Sequence, residues 1–438
     1  MDTSTLSVRG AKATKASPRV DLDVFFEASQ NAYDAQSNPE GSFLLNMAEN
    51  RHCWTLLRDR IRKISVEEQI PAWVAGYTAV TGAPEVRSSV AHFMETFLTK
   101  VPIDPEHLAL SAGATSVIEM TSFVLGNPGD KVVFPAPAYP VYKQDVGNLA
   151  GLDRYDLQTH TEIDGIRDGI EISDQMLQST YEEIQEQGCR WSTLVLTQPD
   201  NPTGILYLRK DLMRIAKWCI ANKVHLIVNE IYGLSMVDIN HPELHNDYHE
   251  MEPFVSFAQI MAELDSVYLH LWYAFSKDFG ISGFRMGVLY TLNRELLQAY
   301  GNLALGRCVS NHTQWILQRI LGDDDFVKGY IETNQRHITA SYLSVVRTLR
   351  SMRIPYVPAR GSLFVWADFS AHLSSDEDAE SKLWMDIYEG TGILLTPGSG
   401  FGHSYPGSFR IVHSLISLEA MDMAMLKLER FLSTRNVG

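Results

Sequence analysis

Cysteine is scarce in this sequence. Four cysteines occur among 438 residues, and they lie far apart, at Cys53, Cys189, Cys219 and Cys308. Neither the paired spacing of a zinc site nor the dense framework of a small disulfide-rich domain is present. We therefore interpret all four as reduced thiols in the core of a cytosolic protein, and we expect no metal site.

Long apolar runs are also missing. No stretch approaches the ~20 consecutive apolar residues that a membrane-spanning helix requires. Residues 1–20 mix serine, threonine, lysine and arginine without the apolar centre of a secretory signal. The sequence therefore predicts a flexible N-terminal tail over 1–20, a cytoplasmic location and no membrane partner.

Positive charge is in deficit, because 53 acidic residues stand against 37 basic ones and the formal net charge is −16. Binding nucleic-acid phosphates requires clustered lysine and arginine, so this balance argues against a nucleic-acid partner. A local basic pocket for one anionic ligand remains compatible with it. A hydrophobic content of 45% and a charged content of 21% are those of a folded soluble chain. Its length suits one large domain and a smaller one.

The segment from Tyr273 to Tyr290 has the residues that lysine chemistry needs. Lys277 follows Ser276, and Arg285 lies further along among several glycines. A lysine amine forms a Schiff base with an aldehyde when burial or a neighbouring cation lowers its pKa. Arg285 can supply that cation while it binds a phosphate, and Ser276 can donate to the same anion. The segment predicts a reactive lysine held in a turn rather than a helix, and the alternative is a surface Ser-Lys-Asp turn.

A second anion-binding pattern lies upstream. Leu108–Ser111 is a short apolar run, 112–115 are small residues, and an apolar helix follows to Leu125. A strand that leads through small residues into a helix presents free backbone N–H groups and the positive end of the helix dipole to an anion. Many such turns use small residues for packing alone. Anion binding is favoured at this turn because the sequence also contains the lysine segment further along the chain.

The segment 276–287 resembles the pyridoxal-phosphate lysine motif of class I and II aminotransferases and, more closely, that of 1-aminocyclopropane-1-carboxylate (ACC) synthases. The resemblance covers roughly 44–432, with seven motifs in the family's order. It implies pyridoxal 5'-phosphate as the cofactor, with Lys277 as the catalytic lysine that carries it. The residues implied around the cofactor phosphate are Ala114, Thr115, Ser276 and Arg285.

Further motifs correspond to the neighbours of the pyridine ring. By resemblance, Tyr139 stacks on the ring, while Asn201 and Tyr232 hydrogen-bond its phenolic oxygen; Tyr232 is also a catalytic candidate. Asn229 departs from the family, which has an aspartate there to keep the ring nitrogen protonated. Asparagine cannot supply that negative charge, so we expect Asn229 to leave the nitrogen largely unprotonated and to impair transamination.

Three residues resemble the family's substrate and subunit contacts. Arg410 corresponds to the arginine that holds the substrate α-carboxylate as a bidentate pair. Glu49 matches the glutamate of ACC synthases that faces the substrate, although an acid beside a helix N-terminus explains it equally well. Tyr77 corresponds to the tyrosine that reaches the cofactor phosphate of a partner subunit, and its spacing fits aminotransferases better than ACC synthases.

The resemblance implies a fold-type-I α/β architecture, in which a large domain with a mostly parallel seven-stranded sheet accompanies a small α+β domain. After the tail, we expect an N-terminal arm and part of the small domain over 21–75. The large cofactor-binding domain should cover 76–320 and the C-terminal small domain 321–438. Because the family's sites lie at the subunit interface, the resemblance also implies a homodimer with shared active sites.

Three functions remain open on the sequence. The first is an ACC-synthase-like enzyme that acts on S-adenosylmethionine or a similar γ-activated amino acid. It removes the α-proton and expels the γ-substituent, with or without joining the resulting aminobutyrate unit to a second substrate. Glu49 and the lysine segment favour it. The second is an aminotransferase of an α-amino acid, which Tyr77 favours and Asn229 disfavours. The third is a cofactor-binding regulator, which the retained site residues oppose.

Overall fold

The computed structural model describes residues 5–14, 19–159, 170–248 and 252–435. Its strands are β1 Phe43–Leu44, β2 Leu108–Ser111, β3 Lys131–Ala136, β4 Asp153–Gln158, β5 Trp191–Thr197, β6 His225–Asn229, β7 Leu269–Ala274, β8 Gly287–Thr291, β9 Tyr356–Val357, β10 Phe364–Asp368, β11 Ile393–Leu394, β12 Thr396–Pro397 and β13 Ser408–Val412.

The α-helices of the described residues alternate with these strands over most of the chain. They span Val8–Ala13, Asp21–Gln30, Trp54–Glu67, Pro84–Phe93, Ala114–Leu125, Tyr142–Gly147, Asp174–Glu186, Arg209–Ala221, Phe257–Leu264, Phe275–Asp278, Arg294–Leu303, Asn311–Leu321, Asp324–Ser351, Ala379–Thr391 and Leu418–Thr434. Several begin at side-chain caps, such as the hydroxyl of Ser173, which accepts a hydrogen bond from the backbone N–H of Met176 at 3.2 Å.

The larger sheet has seven strands in the order β2-β8-β7-β6-β5-β3-β4. Strand β8 is antiparallel to both neighbours, whereas the remaining pairs are parallel. Strands β5 and β7 are buried along their whole length, as expected where helices cover both faces of a parallel sheet. The prediction of a mostly parallel seven-stranded sheet is confirmed.

A smaller antiparallel sheet has the order β12-β13-β10-β9. Its core also includes residues from the N-terminal part of the chain, among them Phe43 and Leu45, because β1 pairs with β11 in parallel. Four of the five residues of β10 are buried. Phe364 is an example. Its side chain packs in the core of the small sheet, and its ring meets that of Tyr232 edge-on, with the centroids 5.3 Å apart.

The N-terminal segment departs from the flexible tail expected over 1–20. A short helix occupies Val8–Ala13, and Arg19 is buried with Asp21, to which its guanidinium donates. A buried arginine with a carboxylate partner is fixed in place, so Arg19 belongs to the folded body. Residues 1–4 and 15–18, part of that predicted tail, lie outside the described residues.

The four thiols are free, but they are not all in the core. Cys53 and Cys219 are buried, Cys189 is intermediate and Cys308 is exposed, so the core interpretation is wrong for Cys308. Over the described ranges no group of histidine, cysteine, aspartate and glutamate is arranged to hold a metal ion. Within the same ranges, no helix has the length and apolar character needed to span a bilayer.

The topology brings five polar segments to one edge of the large sheet. Strands β2, β3, β5, β6 and β7 end at Ser111, Ala136, Thr197, Asn229 and Ala274. The chain that follows these ends carries the small-residue turn, Tyr139, Asn201 and Lys277. Ligands of open α/β sheets bind outside the carboxyl ends of the strands, so this edge is where a site is expected.

Candidate active site

A cavity of about 260 Å³ opens at the carboxyl edge of the large sheet. Ten of the residues singled out from the sequence line it: Glu49, Ala114, Thr115, Tyr139, Asn201, Asn229, Tyr232, Ser276, Lys277 and Arg285. Arg410 lies behind this lining and is joined to it through Asn201, whose side-chain oxygen accepts from Arg410 Nη1 at 2.9 Å. Segments more than two hundred residues apart in the chain therefore meet in one site.

Lys277 lies in a single helical turn, Phe275–Asp278, directly after β7, so the expectation of a turn rather than a helix is wrong at this point. Its Nζ donates to the carbonyl oxygen of Ala48 at 2.5 Å. Desolvation lowers the pKa of the amine to about 8; Glu49 opposes this shift, and the cations Arg410, Arg19 and Arg285 reinforce it. A much larger fraction of the amine is therefore neutral near physiological pH than for an exposed lysine.

Asp278 anchors this helical turn through buried hydrogen bonds, which excludes the alternative of a surface Ser-Lys-Asp turn. Its carboxylate accepts from the backbone N–H of Leu234 at 3.1 Å, the hydroxyl of Ser235 at 2.7 Å and the hydroxyl of Tyr273 at 3.1 Å. Three donors on one fully buried carboxylate hold the turn rigidly against the sheet. Lys277 is thereby held at a fixed point of the cavity wall.

The turn between β2 and the helix Ala114–Leu125 forms an anion cradle with Arg285. Gly113 has a φ of +87°, and a Cβ placed on it would lie 2.4 Å from a guanidinium nitrogen of Arg285. Only glycine permits that close approach. Arg285 donates to the carbonyl oxygens of Ser282 at 2.9 Å and Ala112 at 3.4 Å, which aims it across the helix N-terminus. With buried Ser276 on the same cavity wall, the arrangement suits a phosphate.

Asn229 is held in one orientation by two different hydrogen bonds. Its Oδ1 accepts from the backbone N–H of Ile231 at 3.2 Å, and its Nδ2 donates to the hydroxyl of Tyr142 at 2.9 Å. If the amide were flipped, its NH₂ group would face the backbone N–H of Ile231, and two donors would oppose each other. The NH₂ group of Asn229 therefore points toward Tyr142 and the cavity that both residues line. Tyr142 is itself tied to Thr197 Oγ1 at 3.0 Å.

Tyr139 lies beside this network on a braced loop. Its ring meets that of Tyr142 edge-on, with centroids 5.4 Å apart. Arg154 donates to the carbonyl oxygens of Tyr139 at 2.9 Å and of Pro140 and Ala138 at 3.2 Å, so one guanidinium holds three consecutive peptides of the loop. Sequence reasoning did not find this role of Arg154, since nothing in its own segment signals it.

Asn201 and Tyr232 also line the cavity. Because Asn201 Oδ1 accepts from Arg410, its NH₂ group remains the donor for a ligand in the cavity. The turn that carries Asn201 is fixed by Asp200, which accepts from the backbone N–H and the hydroxyl of Thr203 at 3.2 and 2.6 Å. Tyr232 is buried, and burial raises the pKa of its hydroxyl far above the usual range, so it is a neutral donor.

Arg410 on β13 is buried between two aromatic rings, those of Phe364 and Phe401, at 4.5 and 5.3 Å from their centroids. Nη2 donates to the carbonyl oxygen of Asn46 at 2.9 Å and to Thr396 Oγ1 at 3.3 Å. Nε has no hydrogen-bond partner among the described residues. Burial, and then the charge of Arg19, lower its pKa to about 10, which leaves it charged at neutral pH.

Glu49, predicted at the substrate, and Tyr77, predicted at the cofactor phosphate of a partner subunit, are placed differently. Glu49 lines the cavity, accepts weakly from the hydroxyl of Ser282 at 3.4 Å and pairs with exposed Arg51 at 3.2 Å. Tyr77 is fully exposed on the single chain and lies outside the cavity lining. The structure therefore brings Glu49 into the site and leaves Tyr77 on the surface.

The polar residues at the site that were missed from the sequence include Arg19, Asn46, Tyr142 and Asp145. Tyr142 and Asp145 follow Tyr139 by three and six residues on the helix that starts at Tyr142, and that helical spacing was the available signal. Burial and the nearby charge of Glu119 raise the pKa of Asp145 to about 7. Asn46 adjoins the Glu49 motif, whereas no motif marks Arg19.

A half-buried lysine of lowered pKa shares its cavity with an arginine and a helix N-terminus at the carboxyl edge of this sheet, an arrangement that fits an enzyme of the fold-type-I pyridoxal-phosphate class. The sequence model of the family described as aminotransferase class I and II matches residues 46–428. The chain belongs to that family, whose members use pyridoxal phosphate.

The chain is similar to ACC synthases in sequence and to an aminotransferase in fold. The chain is 28% identical to 1-aminocyclopropane-1-carboxylate synthase 5 of Arabidopsis thaliana, over 94% of the chain and 87% of that protein. It is 29% identical to 1-aminocyclopropane-1-carboxylate synthase 1 of Oryza sativa subsp. indica, over 94% and 85%. An archaeal alanine:glyoxylate aminotransferase superposes with a TM-score of 0.80 over 98% of both chains, at 18% identity. That last likeness is one of fold alone.

Proposed function

We propose that this enzyme catalyses α-deprotonation followed by γ-elimination or γ-substitution on S-adenosylmethionine or a similar γ-activated amino acid. The orientation of Asn229 carries the proposal, because a neutral amide donor stands where transaminating relatives are expected to have a carboxylate. The similarity to ACC synthases over nearly the whole chain supports it.

We assign the cofactor contacts by their positions in the cavity. Ala114, Thr115, Ser276 and Arg285 would hold the phosphate, and Tyr77 of a second subunit is added to them by resemblance, since it lies outside the cavity of its own chain. Tyr139, Asn201, Asn229 and Tyr232 surround the ring. Lys277 would hold pyridoxal phosphate until the substrate amine replaces it, and the cofactor would then supply an electron sink for the electron pair released at the substrate α-carbon, with the Lys277 amine free to act as a base. A donor such as Asn229 leaves the ring nitrogen unprotonated and makes that sink weaker.

Lys277 is the base in this proposal. With a pKa of about 8, its amine is matched to proton transfer near neutral pH. The α-proton would pass to Nζ, and the electron pair left at the α-carbon would form a bond to the γ-carbon as the γ-substituent departs with the electron pair of its own bond. In γ-elimination a β-proton would be lost as well, and the electron pair of that C–H bond would form a β,γ double bond as the leaving group departs, after which a second substrate could add at the γ-carbon. Arg410 holds the α-carboxylate through its remaining donors, which fixes the face of the α-carbon that Lys277 meets.

Glu49 favours a substrate whose γ-substituent is positively charged. Its carboxylate lines the cavity and is close enough to Lys277 to raise the pKa of that amine. A sulfonium group placed beside it would be stabilised by the same field. Glu49 is therefore assigned to the leaving-group side of the substrate.

Transamination is the second candidate. The spacing of Tyr77 favours it, as does the catalytic class in the family's name. We further propose a cytoplasmic homodimer with shared sites and with domains at 21–75, 76–320 and 321–438. The acidic net charge and the free thiols support the location, and exposed Tyr77 supports the shared site.

Product analysis distinguishes the two candidates. Purified enzyme incubated with S-adenosylmethionine, and with 2-oxoglutarate as an amino acceptor, should release methylthioadenosine, identified by mass spectrometry, without an equivalent amount of the 2-oxo acid that retains the S-adenosyl group. Lys277→Ala, incubated in parallel, should release neither. Formation of that 2-oxo acid in amounts equal to the S-adenosylmethionine consumed, with an equal amount of glutamate formed from the acceptor, would replace the proposal with transamination.

A further inference from the structure

Arg154 connects two loops of the candidate active site that follow strands of different sheets. It lies on β4, the edge strand of the large sheet, and its side chain is only 6% exposed. The first loop, 137–141, follows β3 and carries Tyr139. The second loop, 398–407, joins β12 to β13 in the small sheet and carries Phe401. These segments are called the Tyr139 loop and the Phe401 loop below.

The guanidinium of Arg154 has five N–H groups, and it meets five oxygen acceptors. Four acceptors are backbone carbonyl oxygens: Nη1 donates to those of Tyr139 and Pro140 at 2.9 and 3.2 Å, and Nη2 donates to those of Ala138 and Phe401, both at 3.2 Å. The fifth is Asp156 Oδ1, at 2.7 Å from Nε, and this carboxylate also balances the positive charge. The planar fork is therefore fully bonded and is held in one orientation.

Phe401 extends this connection to the predicted substrate arginine. Its carbonyl oxygen accepts from Arg154 and also from the backbone N–H of Ala138, at 2.8 Å. Its ring lies against the guanidinium of Arg410, with Cζ 5.3 Å from the ring centroid. Phe401 is completely buried, so its ring and its carbonyl group cannot move independently in this close packing. A carboxylate that fixes Arg410 would therefore also fix the Phe401 loop.

Tyr139 extends the connection to the proposed position of the cofactor ring. The three peptides that Arg154 holds determine where the side chain of Tyr139 lies in the cavity that it lines. Its ring meets that of Tyr142, whose hydroxyl accepts from Asn229. A cofactor ring stacked on Tyr139 would therefore fix the Tyr139 loop, and through Arg154 it would restrain the Phe401 loop as well.

Two loops held by one guanidinium have a thermodynamic consequence. Ordering the loops costs conformational entropy. A ligand that orders both loops from one end reduces the cost that remains for a ligand at the other end. Each ligand then raises the affinity for the other by the same factor. Direct repulsion between the cofactor phosphate and a substrate carboxylate acts in the opposite direction, so it cannot produce this effect.

We propose that Arg154 is a positioning residue that couples the two ends of the active site, so that carboxylate binding at Arg410 and cofactor binding at Tyr139 strengthen each other. Arg154 lies outside the cavity lining, and it acts through Tyr139 and Phe401. The inference rests on the cofactor and carboxylate sites of the proposed function. It extends that function to specificity, because an amine without an α-carboxylate would leave the site less ordered.

Cofactor affinity measured with and without a carboxylate tests the coupling. Butanoate has a carboxylate but no amine, so it cannot react with the cofactor aldehyde, and butanamide is its neutral match. Equilibrium dialysis of pyridoxal phosphate against the apoenzyme should give a dissociation constant about 5- to 20-fold lower with saturating butanoate, and an unchanged one with butanamide. Calorimetric titration should show butanoate binding more tightly to the loaded enzyme than to the apoenzyme, by the same factor.

Variants of Arg154 separate coupling from stability. Arg154→Lys keeps the charge beside Asp156 but lacks the fork, so the dissociation constants with and without butanoate should become nearly equal. A loss of stability alone would weaken cofactor binding equally in both conditions. Gln158→Ala is the matched control, because Gln158 lies on the same strand and its side chain donates to the Gly402 carbonyl oxygen at 2.7 Å, in the Phe401 loop alone. It should retain the wild-type ratio.

Hydrogen exchange of the wild-type apoenzyme needs no variant. Butanoate should slow amide exchange in 138–142 as well as in 398–402, because the two loops are ordered together. Slower exchange in 398–402 alone would overturn the inference. So would a wild-type ratio of one, a ratio that persists in Arg154→Lys, or an equal loss in Gln158→Ala. Butanoate has no leaving group, so a failed γ-elimination would not affect any of these results.

Discussion

At the scale of single residues, the chemistry depends on how burial sets the charge of Lys277. An exposed lysine has a pKa near 10.5, whereas desolvation and neighbouring arginines lower that of Lys277 to about 8. The positive form is disfavoured because it is surrounded by other cations and removed from water. The neutral amine therefore becomes available about two pH units below the usual value.

Cofactor attachment to the apoenzyme should follow this titration. Below pH 8 the amine is mostly protonated and slow to react, so the attachment rate should rise with pH and level off above about 8, rather than continue toward 10.5. Stopped-flow absorbance after mixing with pyridoxal phosphate measures the rate. Lys277→Ala should abolish borohydride-reducible attachment, whereas Lys63→Ala, at an exposed lysine, should retain it. Attachment that persists in Lys277→Ala would remove Lys277 from the site.

The residues predicted from sequence share one property: each belongs to a short motif whose chemistry is visible in neighbouring letters. Lys277 beside Ser276 and Asn201 before Pro-Thr-Gly are examples. Arg19 and Arg154 have no such motif. Their roles arise from contacts with distant segments, such as Arg154 with Phe401 at 3.2 Å, and a pairing of that kind leaves no local pattern in one sequence.

At the scale of elements, the site depends on strand ends followed by specific turns. Most element types were predictable, and Leu108–Ser111 matched its strand at both ends. Elements that were predicted wrongly depend on contacts between segments that are distant in the sequence. Phe275–Asp278 closes into a helical turn because Asp278 is held by Leu234, Ser235 and Tyr273, and no local propensity encodes those bonds.

The turn at Gly113 permits a direct test of the phosphate cradle. Gly113→Ala forces a side chain into left-handed backbone and against Arg285, so the free energy of unfolding should fall by ~1–2 kcal/mol. Displacing the guanidinium should also weaken cofactor binding about 10- to 100-fold, measured by equilibrium dialysis.

Gly129→Ala is the matched control for that turn. Gly129 has a similar φ of +91°, but a Cβ there meets nothing within 4 Å. It should therefore lose stability by a comparable amount while it retains normal cofactor affinity. Equal cofactor affinity in the two variants would show that Arg285 does not bind the phosphate.

At the scale of the whole molecule, fully exposed Tyr77 is the residue that a single chain leaves unexplained. If Tyr77 completes the cavity of a partner, Tyr77→Ala and Lys277→Ala should each be inactive alone. Hybrid dimers formed after mixing would contain one complete cavity, so activity should return to about a quarter of the wild-type value. Sedimentation should show a dimer. No recovery in a mixture shown to exchange subunits would place Tyr77 outside the shared site.

We propose that Asn229, a neutral amide at the ring nitrogen of the cofactor, directs the enzyme away from transamination. Asn229→Asp restores the negative charge, with Asn240→Asp as the same change at an exposed position. The measurement is the ratio of the 2-oxo acid that retains the S-adenosyl group to methylthioadenosine, both formed by each protein from S-adenosylmethionine with 2-oxoglutarate as the amino acceptor. We expect a ratio well below one for wild type and for Asn240→Asp. For Asn229→Asp we expect a rise of about tenfold, or ~1.4 kcal/mol in relative barrier height. A wild type that already forms mainly the oxo acid, with an identical ratio in Asn229→Asp, would contradict the account.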